Sequence, residues 1–188
     1  MIEIEFKFEI NKREIDKVLK ALRAEKYLFG KRVYEKTVMY DNPAQIMQKT
    51  DGRIRLRQTG NSTEFSYKKP LTREEIKKEI EHEVVVSDFD TIQKILEMLE
   101  FSPVSSYERY RTTILSPSKD IKVTIDEFPF TNYLEIEGGE NKIRELVKTL
   151  RLSPDKNITK SCDSLFQEWR ATNGLPFKPH LLFSDFDK

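Results

Sequence analysis

The sequence predicts an α+β fold in which an antiparallel β-barrel has amphipathic helices packed on its outside. Two patterns support this fold class. Three segments place apolar residues at positions i, i+3, i+4 and i+7, which is the spacing of one buried helical face. Several shorter segments alternate apolar and charged residues with a period of two, which is typical of strands that separate two environments.

The three helical segments are amphipathic, and two of them begin with capping signals. Asn11 followed by Glu14 resembles a capping box, and Asp88 or Ser87 is a candidate N-cap of the second segment. The predicted buried faces consist of Ile15, Val18, Leu19 and Leu22; of Ile92, Ile95, Leu96 and Leu99; and of Ile143, Leu146, Val147 and Leu150.

The strand segments keep charged residues on one face and apolar residues on the other. The N-terminal segment is the clearest case, because Ile2, Ile4 and Phe6 alternate with Glu3 and Glu5. The other charged faces contain Arg53, Arg55 and Arg57; Glu64, Ser66 and Lys68; Glu79, Glu81 and Glu83; Arg109 and Arg111; Lys122, Thr124 and Asp126; and Glu135 and Glu137. Like charges therefore recur two residues apart along single strands.

A sheet with helices on one face and water on the other would also explain the alternation. It would not explain the residue types, because solvated strand faces favour Thr, Ser, Gln and Lys over pairs of arginines or glutamates. Closing the sheet into a barrel gives a reason, since the charged faces then converge on a lumen where opposite charges and a ligand neutralise one another. A lumen that holds internal ion pairs and no ligand stays open as an alternative.

The composition argues against several classes of function. The 188 residues suit one domain, and 33 basic residues nearly balance 32 acidic ones. We therefore expect no attraction to nucleic acid or to a membrane surface. The sequence has no apolar run of about 18 residues, the length that suggests a membrane-spanning helix. The single cysteine, Cys162, cannot form an internal disulfide, and we expect a cytoplasmic protein that is a monomer or a homodimer.

The charged faces contain both kinds of ligand that a metal-bound polyphosphate requires. Mg²⁺ or Mn²⁺ prefers hard oxygen ligands, and the candidates are Glu3, Glu5, Glu79, Glu81, Asp126, Glu135 and Glu137. Phosphate oxygens bind arginine forks and lysine amines, and the candidates are Lys7, Arg55, Arg57, Lys68, Arg109, Arg111 and Lys160. If several of the carboxylates meet in one lumen, like charges should raise some of their pKa values.

The order of these motifs resembles the CYTH superfamily of triphosphate tunnel enzymes. Glu3-Ile4-Glu5-Phe6-Lys7 resembles its N-terminal ExExK motif. Similar segments follow in order at Tyr40-Asp41-Asn42-Pro43, Ile54-Arg55-Leu56-Arg57, Ser66-Tyr67-Lys68, Glu79-Ile80-Glu81, Arg109-Tyr110-Arg111, Ile125-Asp126-Glu127, Leu134-Glu135-Ile136-Glu137 and Lys160-Ser161. The resemblance predicts a CYTH-like domain over residues 1–171 and a tail over residues 172–188.

The resemblance implies an eight-stranded antiparallel tunnel that holds one or two Mg²⁺ or Mn²⁺ ions. The implied substrate is a small-molecule triphosphate: ATP, thiamine triphosphate or tripolyphosphate. The candidate catalytic residues are then Glu5, Lys7, Lys68 and Arg111. The last helical spacing, at Leu165, Phe166 and Trp169, is interpreted as core packing of a final helix, and the tail as a surface strap, with a cover over a tunnel mouth or a partner subunit as alternatives.

Some positions depart from the family pattern. Met39 stands where many members have a tyrosine, Thr37 where many have an aspartate, and Cys162 where many have the tyrosine of an SY pair. The HF dipeptide that precedes ExExK in some bacterial cyclases is missing, since only Met1 and Ile2 precede the motif. Because the sequence is rich in phosphate-binding residues, shows no motif that would recognise a base and lacks this dipeptide, we expect hydrolysis of a triphosphate. Formation of cyclic AMP and pyrophosphate from ATP is the alternative, and a non-catalytic polyphosphate- or nucleotide-binding module is the second alternative.

Overall fold

The computed structural model describes residues 2–72 and 75–186, and these form a closed eight-stranded antiparallel barrel with five helices around it. This confirms the predicted fold class. The barrel strands are β1 (Ile2–Glu9), β2 (Leu28–Asp41), β3 (Arg53–Thr59), β4 (Ser62–Thr72), β5 (Lys77–Val86), β6 (Ser102–Leu115), β7 (Ile121–Glu127) and β8 (Asn132–Gly138). The helices are α1 (Lys12–Ala24), α2 (Ile46–Thr50), α3 (Phe89–Met98), α4 (Glu140–Thr149) and α5 (Cys162–Thr172), and a short strand β9 (His180–Leu181) follows.

The barrel closes where β2 pairs with β6. Around the ring the strands run in the order β2, β3, β4, β5, β1, β8, β7 and β6, and the β2–β6 pairing extends from Leu28↔Leu115 to Asp41↔Ser102. This order places β1 across the barrel from β2. The strand pair β3 and β6, which flanks β2, therefore faces the strands β1, β5 and β8 across the lumen.

Period-two alternation alone does not reveal β2. Its lumen-facing positions include the apolar Met39 and the small Thr37, whereas Lys36 lies on its outer face. Tyr40 is the large apolar residue on that outer face, and it packs under α3. The strand that closes the barrel therefore has the least regular pattern of polar and apolar residues.

Helices α1 and α4 pack on the outer face of β1, β7 and β8, where they cover a core that contains Leu22, Ile136 and Ile143. All three side chains are fully buried, and each contributes about 1.5–3 kcal/mol through removal of apolar surface from water. Helix α3 covers a smaller core through Leu96. The predicted buried face of α3 was wrong in part, because Ile95 and Leu99 are exposed.

The predicted helix caps are confirmed. The Asn11 side chain accepts a hydrogen bond from the Glu14 backbone at 3.0 Å, and the Glu14 carboxylate accepts one from the Asn11 backbone at 2.9 Å. Asp88 accepts a hydrogen bond from the Thr91 backbone at 2.6 Å. In the turn after β2, the buried Asp41 carboxylate accepts hydrogen bonds from the backbones of Asn42, Met47 and Gln48, which holds the start of α2.

Helix α5 packs over one end of the barrel, not against its side. Phe166 joins the lumen-facing side chains Met39, Tyr107 and Tyr133 in one apolar cluster, which also contains Leu181 of β9. Strand β9 pairs in parallel with β6 at Ser106 and Tyr107. The C-terminal segment is thus a strap that holds α5 in place, in line with the surface-strap interpretation of the tail.

The docking of this strap should contribute measurably to stability. Leu181 is only 2% exposed, so Leu181→Ala leaves a cavity and should lower the free energy of unfolding by about 2–5 kcal/mol in urea denaturation. Leu175→Ala, at a residue 42% exposed in the same segment, is the matched control and should change it by less than about 1 kcal/mol. Equal losses in the two variants would contradict the docked strap.

Candidate active site

The lumen-facing side chains surround a cavity of about 120 Å³. Among the described residues, 24 line this cavity, and 17 of them are charged, nine basic and eight acidic. The near balance of the two signs explains how so many ionisable groups can be buried together, because most of these charges pair with one of opposite sign. The expectation that the charged strand faces converge on a lumen is confirmed.

One wall of the cavity carries three carboxylates from neighbouring strands. Glu5 of β1 stands opposite Glu137 of β8 in the strand register, and Glu3 lies two residues before Glu5. One oxygen atom from each of the three lies within 4.8 Å of the others, and we call this set the acidic trio. Three hard oxygen donors at this spacing fit a shared divalent cation, which completes its coordination with water or phosphate oxygens.

Each member of the acidic trio has a lysine beside it. Lys68 Nζ lies 2.6 Å from Glu3, Lys77 Nζ lies 2.8 Å from Glu5, and Lys122 Nζ lies 2.5 Å from Glu137. The three ammonium groups come from three different strands, β4, β5 and β7. Each carboxylate of the trio therefore has an ammonium group as its counter-charge when no inorganic cation is bound.

Some carboxylates of this wall have raised pKa values, as the sequence analysis predicted, and another has a lowered pKa. The pKa of Glu137 is raised from 4.5 to about 7, chiefly by burial and also by Glu3, Glu135 and Glu5, against the opposing effect of Lys122. Burial and the neighbouring Glu3 also raise the pKa of Glu81. Although burial acts in the other direction, Lys68 holds the pKa of Glu3 well below its usual range. Like-charge repulsion inside the lumen therefore contributes to a raised pKa at Glu137 and Glu81 but not at Glu3.

Across the lumen, four guanidinium groups form a second wall on β3 and β6, which we call the arginine wall; it consists of Arg55, Arg57, Arg109 and Arg111. Burial lowers the pKa of Arg57, and the other three arginines lower it further. The Nε atom of Arg57 and the hydroxyl of Thr37 are buried and have no hydrogen-bond partner among the described residues. A wall of crowded cations with unused donors is suited to bind an anion.

Acidic residues of nearby strands hold Arg109 and Arg111 of the arginine wall in place. Arg111 donates to both carboxylate oxygens of Asp126 and, at 2.7 Å, to Glu135. Arg109 donates to Asp126 at 2.8 Å and to Glu35 at 2.8 Å. These contacts fix the guanidinium planes of Arg109 and Arg111 before any ligand arrives.

The structure brings together all but one of the predicted site residues. Asp126 and Glu135 are held by arginines, Glu79 pairs with Arg53 and Lys77, and Glu81 pairs with Lys68 and Arg55, so these four predicted metal ligands lie outside the acidic trio. Lys7 lies between Glu5 and Glu135. Lys160 is the exception: its side chain is more than half exposed and pairs with Glu168 at 2.6 Å, away from the lumen.

Sequence reasoning missed several lining residues. Lys77 and Arg53 each lie two positions before a predicted site residue, on the same strand face, and Lys122 lies four positions before Asp126. Arg53 and Lys122 already stood on the predicted charged faces but were not named as ligands, and extending the period-two pattern by one step would also have found Lys77. Glu35 lies on β2, where the pattern is irregular, and no comparable signal marks it.

Comparison with known proteins identifies the family. The CYTH domain profile matches residues 1–161. The chain belongs to the CYTH family. A Methanocaldococcus jannaschii relative named "Putative adenylate cyclase" is 26% identical over 172 residues, which cover 86% of this CYTH protein and 96% of the relative.

Solved structures share the fold of this CYTH protein. A structure from Vibrio parahaemolyticus, described as a "putative adenylate cyclase", superimposes with a TM-score of 0.77 at 14% identity and covers 89% of this chain and 98% of the other. A Hippeastrum protein is described as a "Putative adenylyl cyclase" that reveals a dominant triphosphatase activity; it gives a TM-score of 0.57 at 16% identity, with 94% and 90% coverage.

Within residues 2–72 and 75–186, every helix is too short or too polar to span a bilayer.

The raised pKa of Glu137 predicts a specific pH dependence. Between pH 4.5 and about 7 the folded protein binds more protons at this group than the unfolded chain does, so stability falls as the pH rises through this window. In metal-free protein, Glu137→Gln removes this loss and should be more stable than wild type by about 1–3 kcal/mol at pH 8. The difference should shrink towards pH 4.5 in urea denaturation. A difference that is independent of pH would contradict the assignment.

Proposed function

We propose that this CYTH protein is a metal-dependent enzyme that binds a triphosphate in its tunnel and hydrolyses the terminal phosphate. One observation carries the proposal: the acidic trio and the arginine wall face each other across one cavity. A metal-bound polyphosphate has both an anionic chain and a cation, so it matches the two walls at the same time. A bare cation would match only the acidic trio, and an apolar ligand would match neither wall.

The acidic trio would hold the divalent cation, Mg²⁺ or Mn²⁺, which when bound supplies neutralisation of phosphate charge and activation of water. The arginine wall would bind the phosphate oxygens, with Arg55 and Arg57 on one side and Arg109 and Arg111 on the other. In phosphoryl transfer the protein mainly positions the reactants and stabilises charge, so this wall is sufficient machinery without a side-chain nucleophile.

Lys7 is suited to stabilise charge and not to act as a base. Its Nζ lies 3.1 Å from Glu135 and 3.6 Å from Glu5. Burial acts to lower the pKa of Lys7, but these two carboxylates outweigh it and raise the pKa above the ordinary 10.5. The ammonium group therefore remains charged at neutral pH, and it would stabilise the negative charge that develops on the phosphate oxygens during hydrolysis.

Hydrolysis makes fewer demands on the cavity than cyclisation does. A bound triphosphate and an attacking water are enough to break the bond between the bridging oxygen and the terminal phosphorus. Cyclisation also requires a ribose held with its 3′-hydroxyl aimed at the α-phosphorus. Charged side chains make up most of the lining, which favours contacts with phosphate over contacts with a nucleoside.

Formation of cyclic AMP and pyrophosphate is the second candidate, and the name of the M. jannaschii relative favours it. Such a name does not decide the question, because the Hippeastrum protein also carries a cyclase name while its description reports a dominant triphosphatase activity. A module that binds polyphosphate without turnover is less well supported, because a pure polyanion binder gains nothing from the acidic trio.

Product identity tests the proposal directly. With Mg²⁺ or Mn²⁺, ATP, thiamine triphosphate and tripolyphosphate should each release inorganic phosphate, and tripolyphosphate or thiamine triphosphate should be cleaved at least as efficiently as ATP. Phosphate, pyrophosphate and cyclic AMP are quantified from the same reaction, with a metal-chelated reaction as the control. Cyclic AMP with stoichiometric pyrophosphate and no inorganic phosphate would instead establish the cyclase, and binding without any product would establish the module.

Substitutions in the acidic trio and in the arginine wall should have different kinetic effects. Glu5→Gln removes one carboxylate of the acidic trio and should abolish metal-dependent turnover while triphosphate binding partly survives. Arg57→Ala removes one cation of the arginine wall and should raise KM by about 10- to 100-fold, the value of one charge-assisted phosphate contact. Arg32→Ala, an exposed arginine on β2 that pairs with Glu127 outside the cavity, is the control and should leave KM unchanged. Identical kinetic defects in the first two variants would argue against separate roles.

A further inference from the structure

The three lysines beside the acidic trio occupy the positions from which a cation neutralises these carboxylates. Lys77 is the most enclosed of them: it is 5% exposed, and its Nζ lies 2.8 Å from Glu5 and 2.8 Å from Glu79. Lys122 reaches Glu137 from the opposite side, with a side chain that is 43% exposed. Of these lysines, only Lys68 is in the set that the sequence assigned to phosphate binding.

A divalent cation at the acidic trio weakens the electrostatic attraction that holds these lysines beside the carboxylates. Once the trio holds a doubly charged ion, the ammonium groups of Lys77 and Lys122 are repelled by it and lose much of the attraction of Glu5 and Glu137. Both side chains line the cavity, and each has a long flexible stem that can redirect its charge. A triphosphate carries more negative charge than one divalent ion neutralises, so it offers these lysines new partners in the same cavity.

We propose that Lys77 and Lys122 are exchangeable counter-ions, which neutralise Glu5 and Glu137 in the ligand-free protein and turn to the triphosphate when a divalent cation binds the trio. This inference rests on the proposed function, because it requires a metal and a triphosphate to meet in the cavity. It assigns to both lysines a direct contact with the substrate that their ligand-free positions do not display.

The exchange makes the binding of the two ligands cooperative. A metal that binds alone must displace ammonium groups that gain no new anionic partner, although Lys77 keeps Glu79, and a triphosphate that binds alone finds these lysines occupied by carboxylates. Each ligand therefore removes an obstacle to the other, and by linkage the gain in affinity is the same in both directions.

Calorimetric titration of the full-length protein tests this coupling. Mn²⁺ is titrated with and without bismethylene triphosphate, a tripolyphosphate whose bridging oxygens are replaced by carbon and which cannot be hydrolysed. In wild type each ligand should tighten the other within the range of about 5- to 150-fold that linked sites show. Lys77→Met should tighten Mn²⁺ binding in the absence of the analogue by about tenfold, because a nearby like charge is removed, and should weaken the analogue in the metal-loaded protein.

Two further variants keep the result interpretable. Lys78→Met is the matched control, because Lys78 lies on the same strand with its amine on Glu140 outside the barrel, and it should leave both affinities unchanged. Lys122→Met has a partly exposed side chain and should reproduce the Lys77→Met pattern even if Lys77→Met fails to fold. The inference is overturned if Mn²⁺ and the analogue bind wild type independently, or if the folded variants bind Mn²⁺ more weakly and the analogue as tightly as wild type does.

This outcome is separate from that of the proposed function. Cooperative binding without any phosphate release would support the exchange and contradict the hydrolase. Phosphate release with independent binding would support the hydrolase and overturn the exchange. Wild type that binds neither ligand would overturn both.

Discussion

Charge buried inside a closed barrel has to be neutralised there, because water solvates it poorly and the surrounding strands keep the side chains in the lumen. In this CYTH protein the strand register meets the requirement: Lys7 lies opposite Glu135, and Arg111 lies opposite Asp126. Loss of one partner from such a buried pair typically costs about 3–5 kcal/mol. The apolar residues that would otherwise fill a lumen lie on the outer face, and the helices are needed there to cover them.

The same pairing prepares the cavity for a ligand. Arginines held by Asp126 and Glu35 do not need to be ordered when an anion arrives, which is the basis of electrostatic preorganisation. At the acidic trio, burial and the neighbouring carboxylates raise the pKa of Glu137 despite the nearby Lys122. The interior is therefore less stable than it could be at the site where a cation is favoured, as functional sites often are.

The sequence was most informative where one face of a strand carries a single kind of residue. Period-two alternation predicted the lumen-facing carboxylates and arginines, and 3.6-residue periodicity predicted α1, α3, α4 and α5 but not the five-residue α2. It was less informative for β2, whose lumen face includes Thr37 and Met39, and the count of eight strands came from the family resemblance. Pairwise contacts could not be predicted either. Nothing local in the sequence shows that Asp126 serves the arginines, that Lys77 reaches Glu5, or that Lys160 turns outward to Glu168, since these depend on which strands and helices become neighbours.

Strand β6 is twice as long as its neighbour β7, with 14 residues against seven. Half of one backbone edge of β6 would thus expose free amide and carbonyl groups, a template on which a strand of another molecule could add. The parallel β9 pairing at Ser106 and Tyr107 and the backbone contact from Ser106 to Pro179 cover the middle of this edge. Besides anchoring α5, the C-terminal segment therefore protects the barrel against edge-to-edge aggregation.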